Sequence, residues 1–467
     1  MAEVQNSALD KRIKKHVIGK PHRFMAVAPL GFEETLVEEL RFIGVECTAD
    51  ASVLDGTANT SGENCAASIK VAGDGKVEFT AKITEAWKAV AYSRIANRIL
   101  MEIGSFKAEN FGQLEKGVAG VPWELFLGNS ADLKLHVSCK HSRLYHSGAI
   151  EERVAPIIAK ALAGSNPDTD PRNVIPDSIG DPASATTTQH LYVNLQDYRC
   201  TLWLDLAGEE LYKRGHERFV AEAPLKETIA AAMIFEASRF AQPPAIIVDP
   251  MAGSGTFSLE VAYIANGLIP GKCRDFALKY QPAFKEGTWN FILKGRHSET
   301  AAPLRHSEER SYEESTTKLL SIITSDISER PVSIIKHNAE ASPLVEIAKT
   351  NPNAVTINPQ LKDFFSYTID NICAVQPSAN DTARDIVILL NPPYGKRLAF
   401  DAPKLYTKIG LKLNEFKGAV IAILAPKDCT ENLLKACPAL DPRKNPAARL
   451  IETSHGGFSL NAIFARI

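Results

Sequence analysis

Charge of one sign is what this chain lacks most. Its 53 Lys and Arg are balanced by 55 Asp and Glu, for a net charge of −2. It is therefore not a polycation that holds nucleic acid by bulk attraction, and any such surface must be local. Ligand-like cysteine spacing is missing as well. The eight cysteines, at 47, 65, 139, 200, 273, 373, 429 and 437, form no C-x-x-C pair and have no His at ligand spacing. That excludes the common zinc motifs, so no metal is expected, and reduced thiols in a cytoplasmic protein fit best. No apolar run has the length of a bilayer span: GAVIAILAP, the nearest, has the size of a buried strand, and no membrane partner is expected. FMAVAPLGF is interrupted by Pro29 and Gly31 and followed by acidic EETLVEEL, where a secretory leader would carry a cleavage site. No internal repeat is present.

What is there is ordinary globular composition. With 467 residues, 45% of them hydrophobic and 23% charged, the chain can bury two or three cores. Four local basic clusters stand out: KRIKKHVIGKPHR, Lys140-His141-Ser142-Arg143, LYKRGHERF from Leu211, and Gly395-Lys396-Arg397. Taken singly, each reads as solvated surface charge.

Residues 1–23 form a polar, basic tail. RFMAVAP then has strand character, and FEETLVEELRFIG has helical spacing with Gly44 as a stop. The Ala-, Ser-, Asn- and Gly-rich stretch 49–75 predicts a mobile loop before the strand VEFTAKI. ITEAWKAVAYSRIANRILMEIG predicts one amphipathic helix, ADLKLHVSC a strand, EERVAPIIAKALAG a helix, and the Pro- and Asp-rich run from Gly164 a loop. LYVNLQDYRCTLWLDLAG alternates in two runs, as a β-hairpin does, so the region up to about 210 is α+β with its own core. Over 211–467 strands alternate with helices, which predicts a doubly wound parallel sheet. A charged stretch at 295–318 breaks the rhythm as a surface insertion.

Three signals in this half carry chemistry. In AIIVDPMAGSGTFSLEVA a strand ends at Asp249, and Gly253-Ser254-Gly255-Thr256 opens a helix. Glycine allows close backbone approach where doubly wound sheets bind cofactors. A P-loop would need Gly-Lys-Ser/Thr after the turn, and a dinucleotide fingerprint a glycine where Ser258 stands. S-adenosylmethionine, which has no pyrophosphate, tolerates an acid such as Asp249 beside the turn. A tight structural turn remains the plain alternative. The second signal is SIITSD, whose terminal Asp326 could accept from ribose hydroxyls or cap the next helix. Asp363 in LKDFFSY follows the next expected strand, with Phe364 beside it to pack on an adenine.

The third signal is Asn391-Pro392-Pro393-Tyr394 after DIVILL. The lone pair of an exocyclic base amine is conjugated into the ring, and two acceptors aimed at its hydrogens oppose that conjugation. The Asn391 side-chain oxygen and the Pro392 carbonyl could supply them, an effect worth roughly 3 to 4 kcal/mol in comparable sites. The prolines hold the pair rigid. Tyr394 could stack on the base, worth roughly 1 to 3 kcal/mol towards unstacking it.

DPMAGSGT, SDIS, KDFF and NPPYGKRL, in that order, resemble the motifs of class I S-adenosylmethionine-dependent methyltransferases acting on exocyclic amino groups. FMAVAPLGFEETLVEELRFIG, AWKAVAYSRIANRI, GVAGVPWELF and DLAGEELYKRGHERFVAEAPLKETIAAAMI are similar to the THUMP-containing bacterial 23S rRNA guanine-N2 methyltransferases of the RlmL type. The resemblance implies an α/β fold: a Rossmann-like domain over 211–467, preceded by a ferredoxin-like part (24–82) and a THUMP domain (83–210) that grip RNA. It implies S-adenosylmethionine as cofactor and 23S rRNA as partner, expected as a ribosome assembly intermediate. It further implies that Asp249, Gly253, Ser254, Gly255 and Thr256 hold the methionine end and Asp326 the ribose. Asp363 and Phe364 would hold the adenine, and Asn391 to Tyr394 the base, by direct in-line methyl transfer. Longer members carry a second domain that makes 7-methylguanosine, an activity not expected of this chain. Met251-Ala252 replaces a pair that usually contains Cys, which backbone contacts tolerate. The alternatives are a tRNA guanine-N2 methyltransferase and an RNA-binding assembly factor with a relic fold.

Overall fold

The computed structural model describes residues 2–48, 69–128, 131–163, 188–220, 224–241, 245–294, 321–374, 385–394 and 401–467. The loop expected from Gly164, the insertion expected at 295–318 and the Lys396-Arg397 pair lie outside these residues. The chain divides into two compact units. One comprises Met1–Val27, Val37–Leu211 and Arg274–Gly295, the other Ala28–Leu36, Tyr212–Cys273 and Arg296–Ile467.

The first unit is built on a seven-stranded sheet: β1 Pro21–Val27, β2 Lys70–Gly73, β3 Lys76–Lys82, β4 Arg98–Lys107, β5 Leu133–Lys140, β6 Gln189–Gln196 and β7 Arg199–Asp205. Its order is β2-β3-β1-β4-β7-β6-β5, with only the β5–β6 pair parallel. Alternation sorts the faces: Phe24, Ala26, Phe79, Ile99, Met101, Leu202 and Leu204 are buried together on one side.

Three expectations change here. The basic tail is a helix, Ala2–Ile13, followed by a π-helical turn Lys14–Ile18, and Ile13 and Val17 are buried. The last residues of the stretch 49–75 pair as β2, while 49–68 lie outside the described residues. The single helix expected from Ile83 ends at Tyr92, and its second half is the central strand β4. The cause is the buried Glu39 carboxylate, which accepts from Ser93 Oγ (2.6 Å) and from the backbone N–H groups of Arg94 (2.7 Å) and Ile95 (3.3 Å). That pins a turn, and Ile99, Met101 and Ile103 then alternate inward between β1 and β7. Apolar residues at i and i+4 fit a helix, but the same residues also fit period two.

Residues 274–295 return to this unit, although 211–467 was expected as one domain. Leu278 N–H donates to the Leu206 carbonyl (3.0 Å), and Gln281 Nε2 to the Asp205 carbonyl (3.0 Å).

The second unit is the doubly wound sheet: β8 Ala245–Asp249, β9 Ser321–Asp326, β10 Pro359–Leu361, β11 Asp385–Leu390, β12 Val420–Pro426, β13 Arg449–His455 and β14 Phe458–Arg466. Its order is β10-β9-β8-β11-β12-β14-β13, parallel except for β14, which runs antiparallel to both neighbours. Central β12 is buried from Val420 to Ala425, as expected of a parallel strand covered on both faces. From β8 the chain moves outward through β9 to β10, then returns to the other side of β8 as β11. The switch point therefore lies between β8 and β11, at their carboxyl ends, where such sheets bind ligands.

Candidate active site

Three strand ends meet at that edge. β8 pairs with β9 (Asp249 opposite Thr324) and with β11 (Val248 opposite Ile388), so Asp326 and Asn391 leave the strands that flank β8 level with each other, two residues beyond Asp249. Neighbouring strands lie about 4.8 Å apart, which confines all three exits to one narrow cleft.

The glycine turn is fixed by two acids. Asp326 accepts from Gly253 N–H through one oxygen (3.0 Å) and from Ser328 N–H through the other (3.1 Å). Asp249 accepts from Ser258 N–H (3.2 Å) and Oγ (2.7 Å), and Ser258 Oγ also bonds Thr324 Oγ1 (2.7 Å). One Asp249 oxygen thus anchors the first turn of helix Thr256–Ala265, while the other, Oδ1, is buried without a partner. Burial pushes the Asp249 carboxyl up to about 7, against the two Ser258 hydrogen bonds and with a smaller push from Asp326. Gly253 and Gly255 have φ of +57° and +79°, conformations other residues adopt only under strain. A Cβ on Gly255 would press on Ile335 at 3.1 Å, whereas one on Gly253 would meet nothing within 4 Å.

A strap holds the turn from behind, and here the reading of LYKRGHERF as solvated charge is corrected. Arg214 is buried and forms a two-point ion pair with buried Glu260 (2.9 and 3.1 Å). Arg218 is half-buried against Glu227, and its guanidinium donates to the hydroxyls of Ser254 and Thr256. Asn338 accepts from Phe219 N–H (2.7 Å) and donates to the carbonyls of Phe219 (2.8 Å) and Ser254 (3.1 Å). Sequence reasoning missed Arg218 and Asn338. For Arg218 the signal was Glu227, which only tertiary contact reveals, and for Asn338, which bonds backbone groups, the sequence carried none.

Beyond the turn, Leu361 lies opposite Asp326, and Lys362 N–H donates to the Asp326 carbonyl (3.0 Å). Asp363 caps the short turn after β10 through Phe365 N–H (3.1 Å). Phe364 does not offer its ring to a ligand: it is 2% exposed and lies beside Phe416 in the core. The exposed apolar side chains here are Ile327, Leu361 and Phe365. Ile327, directly after the acidic strand end, precedes Ser328, the N-cap of helix Glu329–Glu340.

At the end of β11, Asn391 Oδ1 is buried and accepts no hydrogen bond. Pro392 is buried and Pro393 half-buried. Tyr394 is not a free stacking face: it is 8% exposed, its hydroxyl bonds His455 Nδ1 (3.0 Å), and its ring meets Phe458 edge-on at 6.0 Å. Residues 395–400, which follow it, lie outside the described residues. No group of three metal-ligating side chains occurs among the described residues, and no helix among them is long and apolar enough to cross a membrane.

The family described as UPF0020, RMKL-like methyltransferase domain, matches residues 214–445, which contain all of these groups but the closing contacts to β13 and β14. Residues 214–445 thus carry an RMKL-like methyltransferase domain. Among its relatives, YpsC of Bacillus subtilis, named as a candidate RNA methyltransferase, is 27% identical over 380 residues, 81% of this chain and 80% of YpsC. Ribosomal RNA large subunit methyltransferase K/L of Syntrophotalea carbinolica is 26% identical over 411 residues, 86% of this chain. The chain spans about half the length of that relative, of which 49% is covered. Among solved structures, SMU.472, described as a methyltransferase complexed with SAH, superposes with a TM-score of 0.68 at 24% identity, covering 96% of this chain and 98% of its own. TrmN from Thermus thermophilus superposes with 0.54 at 17% identity, covering 95% and 99%. At these identities the superpositions speak for the fold.

The cofactor of this methyltransferase domain is S-adenosylmethionine, and the site fits it. The cleft has a glycine turn with open space at Gly253, an acid at the neighbouring strand end, exposed apolar side chains at the next, and an unsatisfied acceptor opposite.

Two outcomes follow from this geometry. Gly253→Ala should cost only about 1 kcal/mol of stability, the strain of a left-handed alanine, yet weaken S-adenosylhomocysteine binding tenfold or more in a calorimetric titration. Unchanged affinity would show that the ligand does not approach this turn. Asp249 takes up a proton on folding between about pH 4 and about pH 7, because its folded pKa is raised. Its contribution is complete below that window and is lost as pH rises through it. The stability of Asp249→Asn relative to wild type should therefore climb with pH across the window, by at most about 1.4 kcal/mol per pH unit. Urea unfolding at several pH values reads this, and a pH-independent difference would contradict it.

Proposed function

We propose that this methyltransferase modifies the exocyclic N2 of a guanine in 23S rRNA. The observation that carries the reading is Asn391 Oδ1, a buried acceptor without a donor at the end of β11, beside the switch point. Leaving such an atom unsatisfied costs about 1 to 3 kcal/mol, so its natural complement is an amine that arrives with the substrate. The Pro392 carbonyl is the second acceptor, held by a backbone that two consecutive prolines stiffen. Tyr394, tethered by His455 and Phe458, fixes the direction in which the chain leaves the pair.

When bound, S-adenosylmethionine supplies an electrophilic methyl group. Asp326 would hold its ribose, the turn Gly253–Thr256 its methionine end with Asp249 beneath, and Asp363 its adenine. Ile327, Leu361 and Phe365 take the stacking role first expected of Phe364. The acceptor pair draws the amine hydrogens into its plane and opposes conjugation of the lone pair with the ring, and the proton released on methylation passes to water.

RNA as substrate class is supported by the names of the relatives, and the large-subunit target by those of the K/L type. Ribosomal RNA that is not yet fully assembled leaves a base free to be flipped, which makes an assembly intermediate in the cytoplasm the expected target.

Asn391→Ala should lower methyl incorporation into 23S rRNA from labelled cofactor by about 10² to 10³, with cofactor affinity changed little. Incorporation at the wild-type level would refute the acceptor role. Incorporation into tRNA but not into rRNA freed of tRNA would move the substrate to tRNA.

A further inference from the structure

Strand β4 outruns one of its neighbours. Its pairing with β1 stops at Met101 opposite Phe24, although β1 itself continues to Pro21 alongside β3. Its pairing with β7 runs on to Lys107 opposite Arg199, past a bulge between Glu102 and Gly104. A bulge bends the strand and sharpens its twist, which carries the last residues of β4 away from β1. From Ile103 to Lys107 the strand therefore has a paired neighbour on one side only among the described residues.

Ala108 N–H donates to the Tyr198 carbonyl (2.7 Å), and antiparallel pairs alternate between exchanging hydrogen bonds and turning them away. Counting back from Ala108, Phe106 and Gly104 bond β7, while Ser105 and Lys107 turn their N–H and C=O groups to the open side. No described backbone group bonds them there. That side is a groove rather than bare surface. A cavity of about 490 Å³ runs along Ile103–Lys107 and is lined across from them by helix Phe111–Ala119 and by Gly120, Val121 and Pro122. Ile103 and Val121 are buried, and half-buried Phe106 lies with its ring on Gly117 of the helix. Lys107 and Lys116 are the charged residues of the lining. Lys107 pairs with Glu109, whereas exposed Lys116 has no carboxylate within ion-pair distance among the described residues.

We propose that this groove takes an extended, acidic segment of a partner protein, which adds to β4 as a further strand. An unpaired strand edge is matched by another extended backbone: main-chain hydrogen bonds hold the segment, and pockets for its alternate side chains select it. Ile103, Phe106, Val121 and Pro122 supply the apolar part of the lining, and Lys116 supplies a cation that a carboxylate on the segment would satisfy. A nucleic acid has no row of alternating donors and acceptors at strand spacing to match Ser105 and Lys107. A second copy of this chain does not fit either. Its own β4 edge is walled by the same helix, so two such edges cannot meet, and only a slender single strand can enter. Nothing in this depends on what the second unit methylates.

The test is an array of fluorescent heptapeptides of the form Asp-X-Thr-X-Thr-X-Asp, with X drawn from Val, Ile, Leu and Phe, titrated by anisotropy against the full chain. The tightest binder is then made in two N-methylated forms, one at its odd amides and one at its even amides. A strand added to a single edge uses only one of these sets. One form should therefore bind as the parent does and the other about tenfold or more weakly, the loss of two or three main-chain hydrogen bonds. Lys116→Glu should weaken binding about threefold or more. Ser105→Pro, which removes an N–H that the β4–β7 ladder does not use, should weaken it about tenfold. Circular dichroism and thermal unfolding check the fold of each variant, and if Ser105→Pro does not fold, Lys116→Glu and the methylated peptides still decide. The proposal falls if no peptide of the array binds, if both methylated forms bind alike, or if Lys116→Glu binds as the wild type does. An oligouridylate that displaces the peptide and is itself weakened by Lys116→Glu would give the groove to RNA and overturn it as well.

Discussion

A buried oxygen must find a donor, and the site turns on one that has none among the described residues. Asn391, which carries that oxygen, follows β11 at the level where β9 ends, two residues beyond the end of β8. Everything around it serves to keep that acceptor in place. Parallel pairing sets its height, buried β12 beside β11 sets its depth, and two prolines remove the freedom by which the backbone could turn the amide towards solvent.

The opposite wall resolves most of the same constraint internally. Asp326 accepts from Gly253 in the turn and from Ser328 after its own strand, and Asp249 accepts twice from Ser258 in the helix, so the glycine loop is held before any ligand arrives. Arg218 and Asn338 add a brace from the strap, which makes the loop rigid where it has to admit a ligand close to its backbone. Both walls are stiff, and each keeps one buried oxygen without a partner among the described residues, Asp249 Oδ1 on one side and Asn391 Oδ1 on the other. Such preorganisation spares reorganisation at the moment of reaction.

How much of this was legible followed the range of the interactions. The doubly wound sheet could be read because its strands are apolar runs that alternate with helices, and DPMAGSGT, the strand end SIITSD and NPPY mark its loops in order. What escaped depended on partners far along the chain. Glu39 converts the end of a helical-looking segment into strand β4 by capturing Ser93 to Ile95, and nothing local to that segment announces it. The basic run LYKRGHERF looked solvated because its counter-charges, Glu227 and Glu260, come later in sequence. Phe364 and Phe365 are neighbours of identical type, and only the core beside Phe416 decides which of them faces out. Residues 274–295 rejoin the first unit through hydrogen bonds to Asp205 and Leu206 that no periodicity encodes.

The most direct test of the central claim is the chemical identity of the product. Protein-free 23S rRNA, incubated with the enzyme and labelled cofactor, digested to nucleosides and analysed by mass spectrometry, should carry the label on the exocyclic amine of guanosine. Label on a ring nitrogen, a ring carbon or a ribose hydroxyl would contradict an acceptor pair built to hold an amine.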